Sequence, residues 1–170
     1  DFVVGPIFSN ILVAMMKPVT ESGTILISPN AGTSNFAGKQ CHPNFYVTSY
    51  QNDQIHEVLG KYAQDKGYKS VFLMAPNYQA GKDSIAGFKR HFKGEVLDEV
   101  YTPLGQLDFS AEIARIRAAK PDAVFQFHPG GQGIALLKQW AQSGLKEQIP
   151  MVVPSPSLEP PVSPPLVLFW

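Results

Sequence analysis

The chain has 170 residues, of which 44% are hydrophobic and 16% are charged, a balance typical of a globular protein rather than a disordered one. Lysine plus arginine and aspartate plus glutamate number 14 each, so no net positive field attracts nucleic acid or an anionic membrane. No apolar run approaches the roughly 20 residues that a membrane-spanning helix needs. We therefore expect no nucleic-acid partner and no direct membrane insertion.

The first part of the sequence alternates apolar runs with a helical segment. The predicted elements are, in chain order, a strand at residues 2–5, a helix over 9–16 that ends or kinks near Pro18, and strands at 24–28 and 45–47. Proline lacks the N–H that a helix interior requires, which is why the first helix is expected to break there. The connection at residues 30–43 is long and rich in Asn, Gly and Ser, and such loops usually carry function or pass between lobes.

The second part of the sequence repeats a strand–helix pattern. A helix with Asn52 or Asp53 as its N-cap, and with Val58 among its apolar positions, is expected to stop at Gly67. The later predicted elements are strands at 71–75, 96–101 and 123–127, and helices with the apolar stripes Ile85/Phe88/Phe92, Phe109/Ile113/Ile116 and Ile134/Leu137/Trp140/Ala141. This alternation predicts right-handed βαβ units, and hence an α/β fold of three αβα layers with mainly parallel sheets.

The composition changes at the end of the chain. Seven of the 15 prolines lie from Pro150 onward, and proline cannot donate to a sheet ladder or to a helix interior. We therefore expect residues 151–170 to form an extended, polyproline-like or irregular tail. A proline-rich ligand for an SH3-type domain is one interpretation of this tail, and an incidental or non-native segment is the interpretation that we favour.

Signatures of enzymes are mostly missing. Gly81-Lys82 follows a strand, but Pro76 replaces the first glycine of a phosphate loop and Asp83 replaces the hydroxyl residue that binds magnesium. Gly130-Gly131-Gln132-Gly133 opens a helix and offers N–H groups to an anion, but it lacks the spacing of a dinucleotide site. Ser9 is not part of a GxSxG motif. We predict that the protein is not an enzyme and that it has no cofactor.

The cysteine and histidine side chains show no metal-ligand pattern. Cys41 is the single cysteine, so it forms no internal disulfide, and we expect it to be half buried and structural. The four histidines lack ligand spacing. His56 and His91 are predicted to be solvated on amphipathic helices, and only His128, at the end of a strand, is expected near a functional site.

The position of a site can be predicted from the order of the strands. Ligands of open parallel sheets bind beyond the carboxyl ends of the strands, where this sequence has residues 6–10, 29–34, 77–80 and 128–130. Ser9 would offer its hydroxyl at a helix N-terminus, where free N–H groups and the helix dipole also favour a carboxylate. The alternative is that Ser9 only caps the helix.

As a set, several segments resemble the branched-chain amino-acid type of periplasmic solute-binding protein, the receptor component of an ABC importer. The resemblance rests on Phe2-Val3-Val4-Gly5-Pro6-Ile7-Phe8-Ser9, Ile25-Leu26-Ile27-Ser28-Pro29-Asn30-Ala31, Tyr78-Gln79-Ala80-Gly81-Lys82-Asp83, Leu107-Asp108-Phe109-Ser110-Ala111-Glu112-Ile113 and Lys120-Pro121-Asp122-Ala123-Val124. It implies a type I binding-protein fold of two Rossmann-like lobes around a cleft, with no chemistry done on the ligand. Residues 1–48 would then form part of lobe 1, and residues 49–150 most of lobe 2.

The resemblance also implies the residues of a binding site. In such proteins the serine at this position holds the ligand carboxylate, so we favour ligand contact over capping for Ser9. The residues that we expect to line the cleft are Phe8, Ser9, Asn30, Ala31, Thr33, Tyr78 and His128. Ala80 stands where the family usually has a tyrosine, for which Tyr78 would substitute. No acidic residue for an ammonium group occurs in residues 152–157, so either the ligand lacks an amine or, as we prefer, the tail has diverged.

The implied ligand is a small apolar or aromatic carboxylate or an amino acid, and the implied partner of the whole protein is the membrane permease of an importer in the periplasm. A ligand-sensing regulator on the same fold is an alternative, and an α/β enzyme with a phosphate-bearing cofactor is a weaker one. No signal peptide is visible in this chain. The family has two further strand–helix units before the position of Asp1, so we expect a fragment whose unpaired sheet edges favour oligomerisation.

Overall fold

The computed structural model describes residues 1–158 as seven strands, five α-helices and three short 3-10 helices. The strands are β1 Phe2–Val4, β2 Ile25–Ser28, β3 Phe45–Val47, β4 Ser70–Pro76, β5 Glu95–Thr102, β6 Ala123–Gln126 and β7 Met151–Val152. The α-helices are α1 Ser9–Glu21, α2 Asn52–Asp65, α3 Gln79–His91, α4 Ser110–Ala119 and α5 Gly131–Gln142. The 3-10 helices are Ser34–Phe36, Leu145–Glu147 and Ser155–Ser157.

The strands form two parallel sheets, one with the order β1-β2-β3 and one with the order β5-β4-β6-β7. Each pair of sequential strands in a sheet is connected by a crossover, as parallel pairing requires. The predicted α/β fold with mainly parallel sheets is therefore confirmed.

The second sheet has helices on both faces. Along β4, Leu73 points toward one cluster that includes Phe88 of α3, whereas Phe72 points toward another that includes Ile116 of α4 and Trp140 of α5. Successive side chains of a β-strand point to opposite faces of its sheet, and here both faces of the sheet are buried. The three αβα layers predicted from the sequence are thus present around this sheet.

The first sheet has a smaller core, formed where α1 packs on β2. Leu12 and Met16 of α1 pack with Leu26 of β2 in this cluster. On β1, by contrast, Phe2 and Val4 are exposed.

The helix end predicted near Pro18 is wrong, because α1 continues through this residue to Glu21. The helix is anchored on both sides of the proline. Met16 packs in the core before it, and Thr20 is buried after it, with its hydroxyl donating to the Met16 carbonyl oxygen at 2.7 Å. These tertiary contacts outweigh the loss of one backbone hydrogen bond.

The limits of α2 are partly as predicted. Gly67 follows the C-cap residue Lys66 with a φ of +79° and ends the helix, as expected. The N-cap is Gln51, which forms a capping box with Gln54, and not Asn52 or Asp53. The helix thus starts one or two residues earlier than predicted, and the side chain of Asn52 bonds to distant parts of the chain instead of capping the helix.

The prediction of an irregular tail from residue 151 is wrong for its first residues. Met151 and Val152 form β7, which pairs in parallel with β6, and Ser157 is buried in a 3-10 helix. The first proline of the tail after Pro150 comes at Pro154, so nothing prevents β7 from joining the sheet. Residues 159–170, which hold the rest of the predicted proline-rich segment, lie outside the described residues.

Two further predictions concern Cys41 and the length of the helices. Cys41 is exposed in the long connection between β2 and β3, so the prediction of a half-buried structural cysteine is wrong. None of the helices in residues 1–158 combines the length and the apolar character that crossing a bilayer requires.

Candidate functional site

A cavity of about 170 Å³ lies between the two sheets, at the carboxyl ends of their strands. An apolar cavity of about 150 Å³ is known to hold benzene, so this volume suits one small ring-sized molecule. The residues that line it come from α2, from the first turns of α1, α3 and α5, and from loops next to both sheets: Ile7, Phe8, Ser9, Asn30, Tyr50, Asn52, Ile55, His56, Tyr78, Ala80, Phe127, Pro129, Gly130, Gln132 and Pro156.

Ser9 is the first residue of α1 and faces this cavity with little exposure to solvent. Phe8 occupies the N-cap position and makes no side-chain cap bond. The alternative that Ser9 only caps the helix is therefore wrong. Because the side chain of Phe8 cannot accept a hydrogen bond, no side-chain cap neutralises the partial positive charge of the α1 N-terminus beside the Ser9 hydroxyl.

Asn52, the first residue of α2, donates a hydrogen bond to the Ser9 hydroxyl oxygen. Its Nδ2 donates to Ser9 Oγ at 2.9 Å and to Asp83 Oδ2 at 2.8 Å, and its Oδ1 accepts from the Gly32 N–H at 3.3 Å. The Asp83 carboxylate can only accept a hydrogen bond and the Gly32 N–H can only donate one. These two partners therefore determine which atom of the Asn52 side-chain amide is the nitrogen and which is the oxygen. Ser9 Oγ must then accept from Asn52, which leaves the hydroxyl hydrogen of Ser9 to donate to a group in the cavity.

Aromatic rings form the apolar wall of the cavity. The Tyr78 ring lies 6.1 Å from the Phe8 ring in an edge-on contact and 6.4 Å from the Phe127 ring in a near-parallel contact. Burial raises the pKa of the Tyr78 hydroxyl well above its ordinary value, so this side chain is a neutral phenol that both donates and accepts. Rings so arranged suit the face and edge of a planar apolar ligand.

His56 lies one turn along α2 from Asn52 and also lines the cavity. The prediction that it is solvated is wrong, because its side chain is 1% exposed. Its Nδ1 lies 2.5 Å from the carbonyl oxygen of Asn52, and its ring meets the Phe127 ring edge-on at 5.0 Å. Burial lowers the pKa of His56 to about 4, although the Asn52 carbonyl and the charge of Asp53 act in the opposite direction.

Four of the seven predicted site residues lie together in the cavity wall, namely Phe8, Ser9, Asn30 and Tyr78. Ala31 and Thr33 are buried beside the wall and do not line it. The Ala31 carbonyl accepts from the Ser28 hydroxyl at 2.6 Å, and the Thr33 hydroxyl accepts from the Asn35 N–H at 3.4 Å, at the start of the 3-10 helix. Both residues therefore shape the loop that presents Asn30.

His128 does not line the cavity either, and its side chain is fully buried. Its Nε2 is 3.1 Å from the Thr102 hydroxyl and its Nδ1 is 3.1 Å from Gln126 Oε1. Its backbone N–H donates to the Ser157 hydroxyl at 3.1 Å. Burial lowers the pKa of His128 to about 3. His128 thus holds the Pro129–Gly130 loop in place. Two residues that do line the cavity, Asn52 and His56, were not predicted as site residues.

The lining of the cavity has the character of a small-molecule binding site. Within residues 1–158, no group of three or more His, Cys, Asp or Glu side chains could hold a metal ion. Most of the exposed surface of the cavity wall is apolar, and its polar side chains are Ser9, Asn30, Tyr50, Asn52, His56, Tyr78 and Gln132. A mostly apolar pocket with a few placed polar groups is the usual form of a small-molecule binding site.

Comparison with known proteins agrees with this geometry. A family model described as periplasmic binding protein matches residues 1–165, which includes most of the segment that we expected to have diverged from the family. The Leu/Ile/Val-binding protein homolog 6 of Brucella melitensis biotype 1 is 31% identical over 136 residues, which is 77% of this chain and 34% of that protein. The chain thus spans about one third of the length of this relative.

Two solved structures of ABC-transporter solute-binding proteins are also similar. The protein of R. palustris in complex with benzoate is 32% identical with a TM-score of 0.87, over 92% of this chain and 44% of that chain. The protein of Rhodopseudomonas palustris BisB5 in complex with 3,4-dihydroxybenzoic acid is 33% identical with a TM-score of 0.76, over 85% and 40% of the two chains. These similar proteins are binding proteins and not enzymes. The resemblance found in the sequence is confirmed, and the chain belongs to the periplasmic binding protein family.

Proposed function

We propose that this chain forms the ligand cleft of the solute receptor of an ABC importer, and that the ligand is a small aromatic carboxylate. The observation that carries this proposal is the pairing, in one cavity, of the Ser9 hydroxyl with the aromatic wall formed by Phe8, Tyr78 and Phe127. Residues 1–48 would belong to one lobe of the receptor and residues 49–150 to the other. The receptor would act in the periplasm and deliver its ligand to a membrane permease.

A carboxylate is the group that the Ser9 end of the cavity favours. The hydroxyl hydrogen of Ser9 is free to donate because its oxygen already accepts from Asn52. The N-terminus of α1 adds its dipole and its unbonded N–H groups at the same place. Hydrogen bonds to a charged acceptor are about twice as strong as those between neutral groups, so an anionic ligand group gains most from this arrangement.

An amine on the ligand would need a negatively charged partner in the cavity. Within residues 1–158, none of the side chains that line the cavity is an aspartate or a glutamate. The segment 152–157 is in place, since Pro156 lines the cavity, and it still brings no carboxylate. A buried ammonium group without an acidic partner is strongly unfavourable. This argues for aromatic acids, as bound by the R. palustris relatives, over the branched-chain amino acids named for the Brucella relative.

Replacing Ser9 by alanine is expected to weaken the binding of benzoate about tenfold to hundredfold, since one hydrogen bond to a charged group is lost. Titration calorimetry on the full-length protein would measure this, with leucine as the competing ligand class. Ser22→Ala is the matched control, because Ser22 ends the same helix and its hydroxyl bonds only to the exposed Val19 carbonyl and Thr24. Tight leucine binding with no benzoate binding, or undiminished binding by Ser9→Ala, would contradict the proposal.

Replacing Asn52 by alanine is expected to weaken benzoate binding mainly through Ser9. Without the Asn52 amide, the Ser9 oxygen loses its donor and the hydroxyl hydrogen is free to turn toward the space that the amide leaves. The loss caused by Asn52→Ala should therefore be clearly smaller when Ser9 is already alanine, and a double-mutant cycle measures this difference. Equal losses in both backgrounds would show that Asn52 supports only the fold of the wall.

A further inference from the structure

A second helix N-terminus with unused donors lies at the cavity, at the start of α5. Its N-cap residue, Gly130, makes no side-chain cap bond, and within residues 1–158 the N–H groups of Gly131, Gln132 and Gly133 find no backbone acceptor. Gly130 and Gln132 both line the cavity. Free N–H groups and the helix dipole favour an anion at such a place, and a carboxylate bound at Ser9 does not use these donors.

The side chain of Gln132 adds a donor whose identity is fixed by its neighbour. The Gly105 N–H donates to Gln132 Oε1 at 3.0 Å, and because a backbone N–H can only donate, the other end of the amide is Nε2. Gln132 is only 9% exposed. Its Nε2 has no acceptor among the described residues, but it is not among the atoms that are closed to solvent. An amide NH₂ group in this position is unfavourable without an acceptor, so we expect one from a molecule in the cavity.

The two groups of donors lie at opposite ends of the aromatic wall. Phe8 directly precedes Ser9 at the start of α1. Phe127 follows β6 and comes just before the loop that leads to Gly130. The Tyr78 ring contacts both rings, at 6.1 Å from Phe8 and 6.4 Å from Phe127. A planar ligand packed on this wall would therefore direct one edge toward Ser9 and the opposite edge toward the α5 N-terminus.

We propose that the α5 N-terminus, with Gln132 Nε2 as its side-chain donor, binds a second carboxylate of the ligand, so that the receptor takes an aromatic dicarboxylate held at both ends. This inference rests on the proposed function and deepens it. The amide of Gln132 donates without adding a charge, and the backbone N–H groups beside it supply the remaining donors that a carboxylate with two oxygens accepts.

Helix N-termini supply the positive potential that a dicarboxylate needs. The described side chains that line the cavity include no lysine or arginine to attract an anion and no aspartate or glutamate to repel one. Three helices, α1, α3 and α5, begin at the cavity with N-cap residues that make no side-chain cap bond. Each such N-terminus carries roughly half an elementary positive charge. Two of them lie at the two ends of the aromatic wall, so each carboxylate would face one.

The test is a set of calorimetric titrations of the full-length protein with benzoate and the three benzenedicarboxylates. We expect the 1,3- or the 1,4-isomer to bind about tenfold more tightly than benzoate, the lower end of what a hydrogen bond to a charged group supplies, because the second carboxylate must also leave water. The 1,2-isomer is the matched control, since it has the same charge with both carboxylates at one edge of the ring. The ligand 4-methylbenzoate controls for size, and neither control should show the gain.

Protein variants assign the preference to one side chain. In Gln132→Glu the bond from the Gly105 N–H is kept, whereas the donor is replaced by a negative charge, so the ratio of dicarboxylate to benzoate affinity should fall to about one or below. Gln132→Met removes the donor without adding a charge and should also lower the ratio. Gln148→Glu is the matched control, because this exposed residue lies outside the cavity wall, and it should leave the ratio unchanged.

The outcomes separate this inference from the proposed function. A dicarboxylate preference that is the same in the wild type and in both Gln132 variants, or equal binding of the dicarboxylates and 4-methylbenzoate, would overturn the second carboxylate site and leave the proposed function intact. A gain of the 1,2-isomer equal to that of the other isomers would overturn it as well. Failure of every aromatic acid to bind would instead refute the proposed function itself.

Discussion

Acidification from pH 7 to pH 4 is expected to lower the free energy of unfolding of this protein by an amount on the order of 5 kcal/mol through two histidines alone. Burial lowers the pKa of His56 to about 4 and that of His128 to about 3. Both side chains are almost completely excluded from solvent, so the folded state binds them in their neutral form.

The direction of the effect follows from proton binding. An unfolded chain takes up a proton on each histidine near pH 6.5, whereas the folded state does so only near the lowered pKa values. Between these limits the unfolded state binds more protons, so stability rises with pH. The full stability is therefore present above about pH 6.5 and is lost progressively as the pH falls toward 4 for His56 and toward 3 for His128.

Urea unfolding of the wild type and of His56→Leu and His128→Leu at several pH values between 7 and 4.5 would test this expectation. Each leucine variant should show a weaker dependence of stability on pH than the wild type, whatever its stability at pH 7. His91→Gln is the control, because His91 lies at the surface with 50% of its side chain exposed. A pH dependence that is the same in all four proteins would contradict the role of buried histidines.

The parts of the fold that the sequence predicts well are those with strong apolar patterns. The run Val71 to Ala75 is apolar at every position because β4 is buried on both faces, and this is visible without a structure. The stripes containing Phe88 and Ile113 have the period of a helix with one buried face, and both residues are in the core. Such patterns determine the layers of the fold.

The site is less predictable because its important side chains are polar and their partners are distant in sequence. The apolar pattern of α2 assigns Val58 to the buried face, yet Val58 is 67% exposed, while Asn52 and His56 are buried. The Asn52 amide bonds to Ser9, 43 residues away, and to Asp83, 31 residues away. A buried polar residue is stable only with such partners, and no local pattern shows them.

Replacing Gly60 by alanine is expected to destabilise the fold by about 3 kcal/mol, the upper end of the usual cost of overpacking. Gly60 lies on the face of α2 that packs on α3. A Cβ atom at this position would lie only 2.0 Å from the carbonyl oxygen of Phe88, and one at Gly87 of α3 would lie 2.4 Å from the carbonyl oxygen of Asp53. The two helices thus approach through paired glycines, backbone against backbone.

The cost of Gly60→Ala arises because the obstacle is backbone and cannot rotate away. To make room, α3 must move outward, which withdraws Phe88 from the core cluster and stretches the ion pairs of Arg90 with Asp53 and Glu57.

Gly131→Ala is the matched control, since a Cβ at Gly131 meets nothing within 4 Å, and it should stabilise by about 0.4–1 kcal/mol. Chemical denaturation of both variants measures the difference. A Gly60→Ala protein as stable as the wild type would show that the contact between α2 and α3 is looser than its geometry implies. Because α2 also presents Asn52 and His56, the same variant should lose affinity for the ligand along with stability.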